Sequence, residues 1–470
     1  MKVIQMYTGC LAEAAYYIES DGEAAVIDPL REPGPYLEYA AQNGARIKYV
    51  LETHFHADFV SGHLDLAKKT GATIVYGPTA QPGFEAHVAA DGEILQLGKA
   101  RIKVLHTPGH TMESSCFLLI DETGRETAVF TGDTLFIGDV GRPDLAVKSD
   151  LSREDLAGYL YDSLRNKIMP LPDDLTVYPG HGAGSACGKK MAHETQSTIG
   201  AQKQLNYALR ADMTREEFIR EVTEGLVAPP QYFPKNAVLN RMGYESIDQV
   251  LERGRHALTV REFLAVAETK KALVIDVRSE SEYVKGHIPG SVFIGIDGQF
   301  AFWAGALITD LQQPILLVCP AGREEEAMIR LARVGYDHTL GYLNGGMEAW
   351  KQAFRQVETV ENITAHEVPA RLAVGGWKLL DVRRKSEYDT EHVLSALHFP
   401  LEQMHSNLAL LSQQGRYVVH CAGGYRSVIA ISFLKNLGFK YLINVEGGFQ
   451  AIRKEQTLPL TTYVAQTTEL

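Results

Sequence analysis

The sequence predicts a multidomain α/β protein, with one mixed α/β domain followed by two smaller α/β domains built on parallel sheets. Three observations predict it. At 470 residues the chain is too long for one core and suits about three domains. Its first half ends several β-branched runs in turns that carry His or Asp. Its second half repeats itself.

In the first half, YVLETHFHAD, IKVLHTPGHT, TAVFTGDT and LTVYPGHG are strand-like runs that deliver polar side chains at their ends. Strand ends gathered at one edge are where α/β proteins place their chemistry. Residues 152–168 and 196–226 carry apolar residues at helical spacing (Leu156, Leu160, Leu164; Phe218, Val222) and read as covering helices.

From about residue 255, LVIDVRSESEYVKGHIPGSV is echoed by LLDVRRKSEYDTEHVLSAL, and YLNGGMEAW by NVEGGFQAI. Asp276 and Asp381, like His287 and His392, stand 105 residues apart; Cys319 and Cys421, like Gly345 and Gly447, stand 102 apart. Such a period is a small complete domain, too long for a solenoid repeat. Each copy alternates strand-like runs (LVID, ILLVC; KLLD, YVVHC, YLINV) with helical patterns, which predicts a parallel sheet. The predicted domains are 1–254, 255–357 and 358–470.

Hydrophobic residues at 45% and charged residues at 22% are ordinary for a soluble globular protein. No apolar run approaches the ~18 residues that span a bilayer. The N-terminal MKVIQMYTGCLAEAAYYI has one Lys and an interrupting Glu13, and does not read as a secretory signal. Five widely spaced cysteines (Cys10, Cys116, Cys187, Cys319, Cys421) make no disulfide framework and predict a reducing cytoplasm. A net charge of −12 argues against nucleic acid and anionic membranes as partners, so an anionic substrate must meet a local cluster of donors. The oligomeric state is left open, a homo-oligomer included.

Four turns carry the candidate metal ligands: His54, His56 and Asp58 in HFHADF, His110 in TPGH, Asp133 in TGD and His181 in YPGH. A lone histidine means little, but these turns in this order predict a metal site. The pattern resembles the metallo-β-lactamase superfamily, which implies an αβ/βα fold for the first domain. In two-metal members of that superfamily the box reads H-x-H-x-D-H. Here Phe59 stands at its last position and cannot ligate a metal, which points to a single ion with open coordination positions.

Two imidazoles and one carboxylate around such an ion is the arrangement of non-haem Fe(II) oxygenases. Within the superfamily the chain resembles persulfide dioxygenases, specifically bacterial fusions to rhodanese domains. That resemblance implies one Fe(II) per chain on His54, His110 and Asp133, with zinc as the alternative. It makes His56, Asp58 and His181 groups that orient those ligands, or else ligands of a second, weaker metal. His63 is read as a residue near the start of the next helix rather than as a substitute ligand.

The resemblance also implies substrate contacts. Arg142, in GDVGRPD, matches an arginine that helps hold the thiol carrier, the other reading being a brace to Asp144. Tyr232 and Lys235, in PPQYFPKNAVLN, fall in a segment resembling the family's substrate cover. Cys187, six residues past His181, reads as a buried inert thiol or as a redox thiol that accepts sulfur.

In the last domain the strand YVVH runs into Cys421-Ala-Gly-Gly-Tyr-Arg426-Ser and then a helical pattern. A thiolate that takes sulfane sulfur suits a loop curled at a helix N-terminus, where N–H groups converge on it. The loop resembles that of rhodaneses, with Cys421 as persulfide carrier and Arg426 pairing with sulfite or thiosulfate oxygens. In the first copy, Cys319 is followed by Glu324, Glu325 and Glu326, with Glu324 at the place of the loop arginine. Carboxylates there raise a thiol's pKa and repel anions, so the first copy is read as an inactive spacer or docking domain.

Together the resemblances imply oxidation of a low-molecular-weight thiol persulfide (glutathione, coenzyme A or bacillithiol type) by O2 to sulfite. Rhodanese sulfur transfer interconverting sulfite and thiosulfate is then coupled to it, as in sulfide detoxification. The alternatives are a thioester hydrolase resembling hydroxyacylglutathione hydrolase, with a metal-bound hydroxide, and a non-catalytic sulfur carrier.

Overall fold

The computed structural model describes residues 1–145, 151–226, 228–456 and 458–461; the end of the third predicted domain, 462–470, lies outside them. The chain divides into two compact units, Met1–Gln249 with Ala332–Gly335, and Val250–Leu331 with Tyr336–Leu470.

The first unit holds two six-stranded sheets. One runs in sequence order, Lys2–Thr8, Glu13–Ser20, Glu23–Ile27, Arg46–Leu51, Thr73–Tyr76 and His87–Val88, antiparallel for its first three strands and parallel thereafter. The other runs from Ile94–Leu97 through Ala100–His106, Ser115–Ile120, Glu126–Gly132 and Thr176–Pro179 to Ser197–Thr198.

The strand alternation explains the layering. Along Glu13–Ser20, Ala14, Tyr16 and Ile18 meet Ile102, Val104, Phe117 and Leu119 of the other sheet. Ala15 and Tyr17 point the opposite way, towards the helices Gly34–Asn43 and His63–Thr70, where Tyr36, Ala40 and Leu66 close a second core. A strand buried on both faces need not alternate with polar residues, as this one does not. The second sheet's outer face is covered by Arg153–Ser163, Ile199–Leu205 and Arg215–Thr223, within the two stretches predicted as covering helices. Helix, sheet, sheet, helix is the predicted αβ/βα order.

The second unit contains the duplicated domains. Each has a five-stranded, all-parallel sheet with the same strand order. In the first it is Ala257–Leu258, Thr339–Leu343, Ile315–Val318, Leu273–Asp276 and Val292–Phe293. In the second it is Glu361–Ile363, Tyr441–Val445, Arg416–His420, Trp377–Asp381 and Leu397–His398.

Most repeated landmarks prove to be scaffold. Asp276 and Asp381 are fully buried at a strand end, each forked by an arginine two residues on, Arg278 or Arg383, at 2.6 Å. The EY…H pairs stack ring on ring, Tyr283 on His287 at 3.9 Å and Tyr388 on His392 at 3.6 Å. Among the described residues no helix is long and apolar enough to cross a membrane, and all five cysteines are free thiols.

Candidate metal centre and sulfur loop

The strand Arg46–Leu51 ends at the box, and its first histidine is oriented by a relay. Thr53 Oγ1 donates to Asp28 Oδ2 at 2.8 Å while the Thr53 N–H donates to Asp28 Oδ1. With its proton committed, Thr53 Oγ1 can only accept from His54 Nδ1, 3.0 Å away, which leaves the lone pair on Nε2. His110 is fixed in the same way, its Nδ1–H donating to the Arg142 carbonyl at 2.9 Å.

The two Nε2 atoms face Asp133 Oδ2 at 3.9 and 3.5 Å, and that buried oxygen has no hydrogen-bond partner. His54, His110 and Asp133 thus offer three convergent donor atoms, all buried, in a group that fits one metal ion. Burial lowers the pKa of His54 well below the usual imidazole range, which keeps the ring neutral. Burial opposes the charge of Asp133, but the His181, His110 and His54 rings outweigh it and hold its carboxyl well below the usual range.

The other box residues do not join that group. His56 turns into a carboxylate pair, its Nε2 3.1 Å from Asp28 and 3.5 Å from Glu52. Burial works against its charge, yet Asp28 and Glu52 push its pKa up to about 9. Phe59 is fully buried with its ring 4.4 Å from that of His56. His181 meets Asp133 Oδ1 through Nδ1 and Asp58 Oδ2 through Nε2, both at 2.8 Å.

Asp58, His181 and Cys187 form a second buried group of donor type, and Asp28, Glu52 and His56 a third. Burial, then Asp58 and Asp133, raise the Cys187 thiol well above its ordinary pKa. His63 opens the helix His63–Thr70, as expected, with its ring 5.0 Å from Phe84 and its Nδ1 3.7 Å from Glu52.

Arg142 is bound bidentately to Asp144 at 2.6 and 2.7 Å and also donates to the Ala186 carbonyl, the bracing arrangement; its backbone holds His110. Tyr232 is buried with its ring 5.0 Å from Phe233, and Lys235 donates to Gln231.

Sequence reasoning missed Asp28, Glu52 and Asn240. Asn240, fully buried in the helix Phe233–Met242, donates to the carbonyls of His56 and Phe59 at 2.7 Å and accepts from the Ser61 N–H at 2.9 Å. Asp28 had a sequence signal in its place at the end of the run AAVID; Asn240 had only its polarity.

In the second unit, Cys421 Sγ is buried and accepts from the Gly424 N–H at 3.1 Å, with Ser427 Oγ at 3.6 Å. Gly424, at φ 122°, begins the helix Tyr425–Asn436 and turns its N–H onto the sulfur. Gly448 explains the second repeated glycine: a Cβ there falls 2.5 Å from the Cys421 carbonyl. Arg426 lies in a bidentate pair with Glu387, at 2.5 and 2.8 Å. In the first copy, burial and then Glu324 push the Cys319 thiol far up, and Arg323 is spent on Glu326 and Asp297.

The sequence profile of the metallo-beta-lactamase superfamily matches residues 8–181, and that of the rhodanese-like domain matches 259–353 and 364–455. A probable hydroxyacylglutathione hydrolase of Schizosaccharomyces pombe is 35% identical over 183 residues, 38% of this chain and 67% of that protein. The human mitochondrial persulfide dioxygenase ETHE1 is 30% identical over 200 residues, 42% of this chain and 70% of that one. A crystal structure of a metallo-beta-lactamase from Staphylococcus aureus subsp. aureus COL is 33% identical. Its superposition has a TM-score of 0.64 and covers 73% of this chain and 99% of that one. Convergent donors at strand ends, a four-layered sandwich and these matches agree: the chain belongs to the metallo-β-lactamase superfamily and carries two rhodanese-like domains after its metallo-β-lactamase domain.

Proposed function

We propose that the first domain, residues 1–254, is an iron persulfide dioxygenase and that the third, 358–470, is a rhodanese acting on its product. The second, 255–357, is a rhodanese-like copy without transferase activity of its own. The first reaction converts RSSH, O2 and H2O into RSH, sulfite and two protons. In the second, the persulfide on Cys421 gives its outer sulfur to sulfite and leaves as the thiolate, forming thiosulfate.

The observation that carries this reading is the donor set. His54 Nε2, His110 Nε2 and Asp133 Oδ2 converge with free lone pairs, while Phe59 occupies the last box position and packs on His56. A ferrous ion held there supplies the redox chemistry that joins dioxygen to sulfur. The chain's own residues do the rest. Asp28, through Thr53, and the Arg142 carbonyl fix the ring tautomers, and His181 steadies the second oxygen of Asp133. At the other centre the Gly424 N–H and Ser427 hydroxyl hold the sulfur of Cys421.

The hydrolase relatives favour a second reading, a thioester hydrolase with a binuclear site. Phe59, which cannot ligate a metal and packs on His56, weighs against it. Protein purified without oxygen should contain one iron per chain and consume O2 on addition of glutathione persulfide. Two zinc ions per chain with hydrolysis of S-lactoylglutathione, and no oxygen uptake, would overturn the proposal.

A further inference from the structure

A cavity of about 400 Å³ lies within the second unit, and both rhodanese-like copies line it: Gly298, Gln299 and Trp303 from the first, Arg384, Glu387, Tyr425 and Arg426 from the second. Tyr425 and Arg426 open the helix that follows the Cys421 loop, directly after the Gly424 whose N–H meets the sulfur. We propose that this cavity receives the organic body of a carboxylate-bearing, low-molecular-weight thiol persulfide, and that the first copy supplies its wall through Gln299 and Trp303. The inference rests on the reading of Cys421 as a sulfur carrier.

Size is the first argument. The volume falls in the range of about 300–1,000 Å³ that holds organic ligands. Thiosulfate has five heavy atoms, which at no more than about 30 Å³ each leave most of the space empty. The chemistry of the lining is the second. Trp303 offers an aromatic wall, Gln299 an amide that pairs with peptide-like groups, and Arg384 and Arg426 two guanidinium groups able to pair with a carboxylate. Arg426 is already forked onto Glu387, and Arg384 sits 5.6 Å from the ring of Phe302 in the first copy.

Fit is the third argument. The Tyr425 hydroxyl donates to the Gly295 carbonyl at 2.8 Å. A Cβ on Gly298 falls 2.3 Å from the Tyr425 ring, so the first copy is shaped to receive this residue of the active loop. A mere spacer has no need of that match. The step is an exchange: the Cys421 thiolate attacks the outer sulfur of RSSH, a new S–S bond forms, the old one breaks and RS⁻ leaves. No net oxidation occurs, and the proton stays on the transferred sulfur.

The test is single-turnover persulfidation of Cys421 in the full chain, followed by intact-protein mass spectrometry, with glutathione persulfide and with thiosulfate as donors. Gln299→Ala should slow transfer from glutathione persulfide about fivefold, the effect of one lost hydrogen bond, and leave thiosulfate within about twofold. Trp303→Phe, which keeps an aromatic ring in a buried position, should shift the same ratio in the same direction. Equal losses with both donors, losses confined to thiosulfate, or no loss with either would overturn the proposal. If parental Cys421 takes sulfur from neither donor, the reading of that cysteine as a carrier falls first and the pocket assignment with it.

Discussion

Cys319 and Cys421 occupy equivalent places in two copies of one fold, and their neighbours set them apart. Around Cys421 an N–H and a hydroxyl face the sulfur. Around Cys319 burial and the Glu324 carboxylate both disfavour the thiolate. A raised thiol pKa means less thiolate at neutral pH, and only the thiolate attacks sulfane sulfur. Brief exposure to excess thiosulfate at pH 7 should therefore put a persulfide on Cys421 alone, and raising the pH to 9 should not bring Cys319 into reaction. Comparable adducts on both cysteines in the mass spectrum would refute this. The replacement of arginine by Glu324 was readable in the sequence, as were His54, His110 and Asp133, because each sits in a short motif at a run's end. Asn240 was not, since its partners His56 and Phe59 lie more than 180 residues away and no local pattern links them.

At the scale of elements, the strands matter for where they stop. Gly132 closes Glu126–Gly132, Pro179 closes Thr176–Pro179, and the two strands run parallel, so Asp133 and His181 leave side by side. The turn between Pro179 and His181 must be glycine, because a Cβ on Gly180 lies 2.7 Å from Asp133 Oδ1. Gly180→Ala should push the carboxylate away from the two imidazoles. We expect metal content to fall at least tenfold while far-UV circular dichroism stays that of the parent, because the strand cores are untouched. A variant with parental metal content would show that Asp133 tolerates the displacement. Strand ends and helices of this domain were legible from β-branched runs and 3.6-residue spacing. The split into two sheets came from the family resemblance and not from local pattern, because Glu13–Ser20 is apolar on both faces and does not say which face meets the other sheet. Glu13 looked like an interruption of an apolar stretch; it is instead a buried carboxyl with both oxygens unpaired, pushed well above its usual pKa by burial.

For the whole molecule, the donor triad and Cys421 belong to different compact units, each with its own cores. Mutations at sites that share no core act additively on stability. The duplication made the second unit's domain count legible in the sequence, whereas the cavity shared by its two copies was not, since the glycines that seat Tyr425 carry no motif. Under the proposed function the first centre makes the sulfite that the second consumes, so removing one should expose the intermediate made by the other. Cys421→Ser deletes the atom that carries sulfane sulfur and leaves the donor triad unchanged. Oxygen uptake with glutathione persulfide should stay within about twofold of the parent, a change well below 1 kcal/mol in barrier. The product should change, with sulfite accumulating where the parent releases thiosulfate. Asp133→Ala should do the reverse, abolishing oxygen uptake while Cys421 still accepts sulfur from thiosulfate. Ion chromatography of the quenched reactions separates the two anions. If Cys421→Ser stops oxygen consumption as well, sulfur must pass through Cys421 before oxidation, and the order of the two reactions proposed here is wrong.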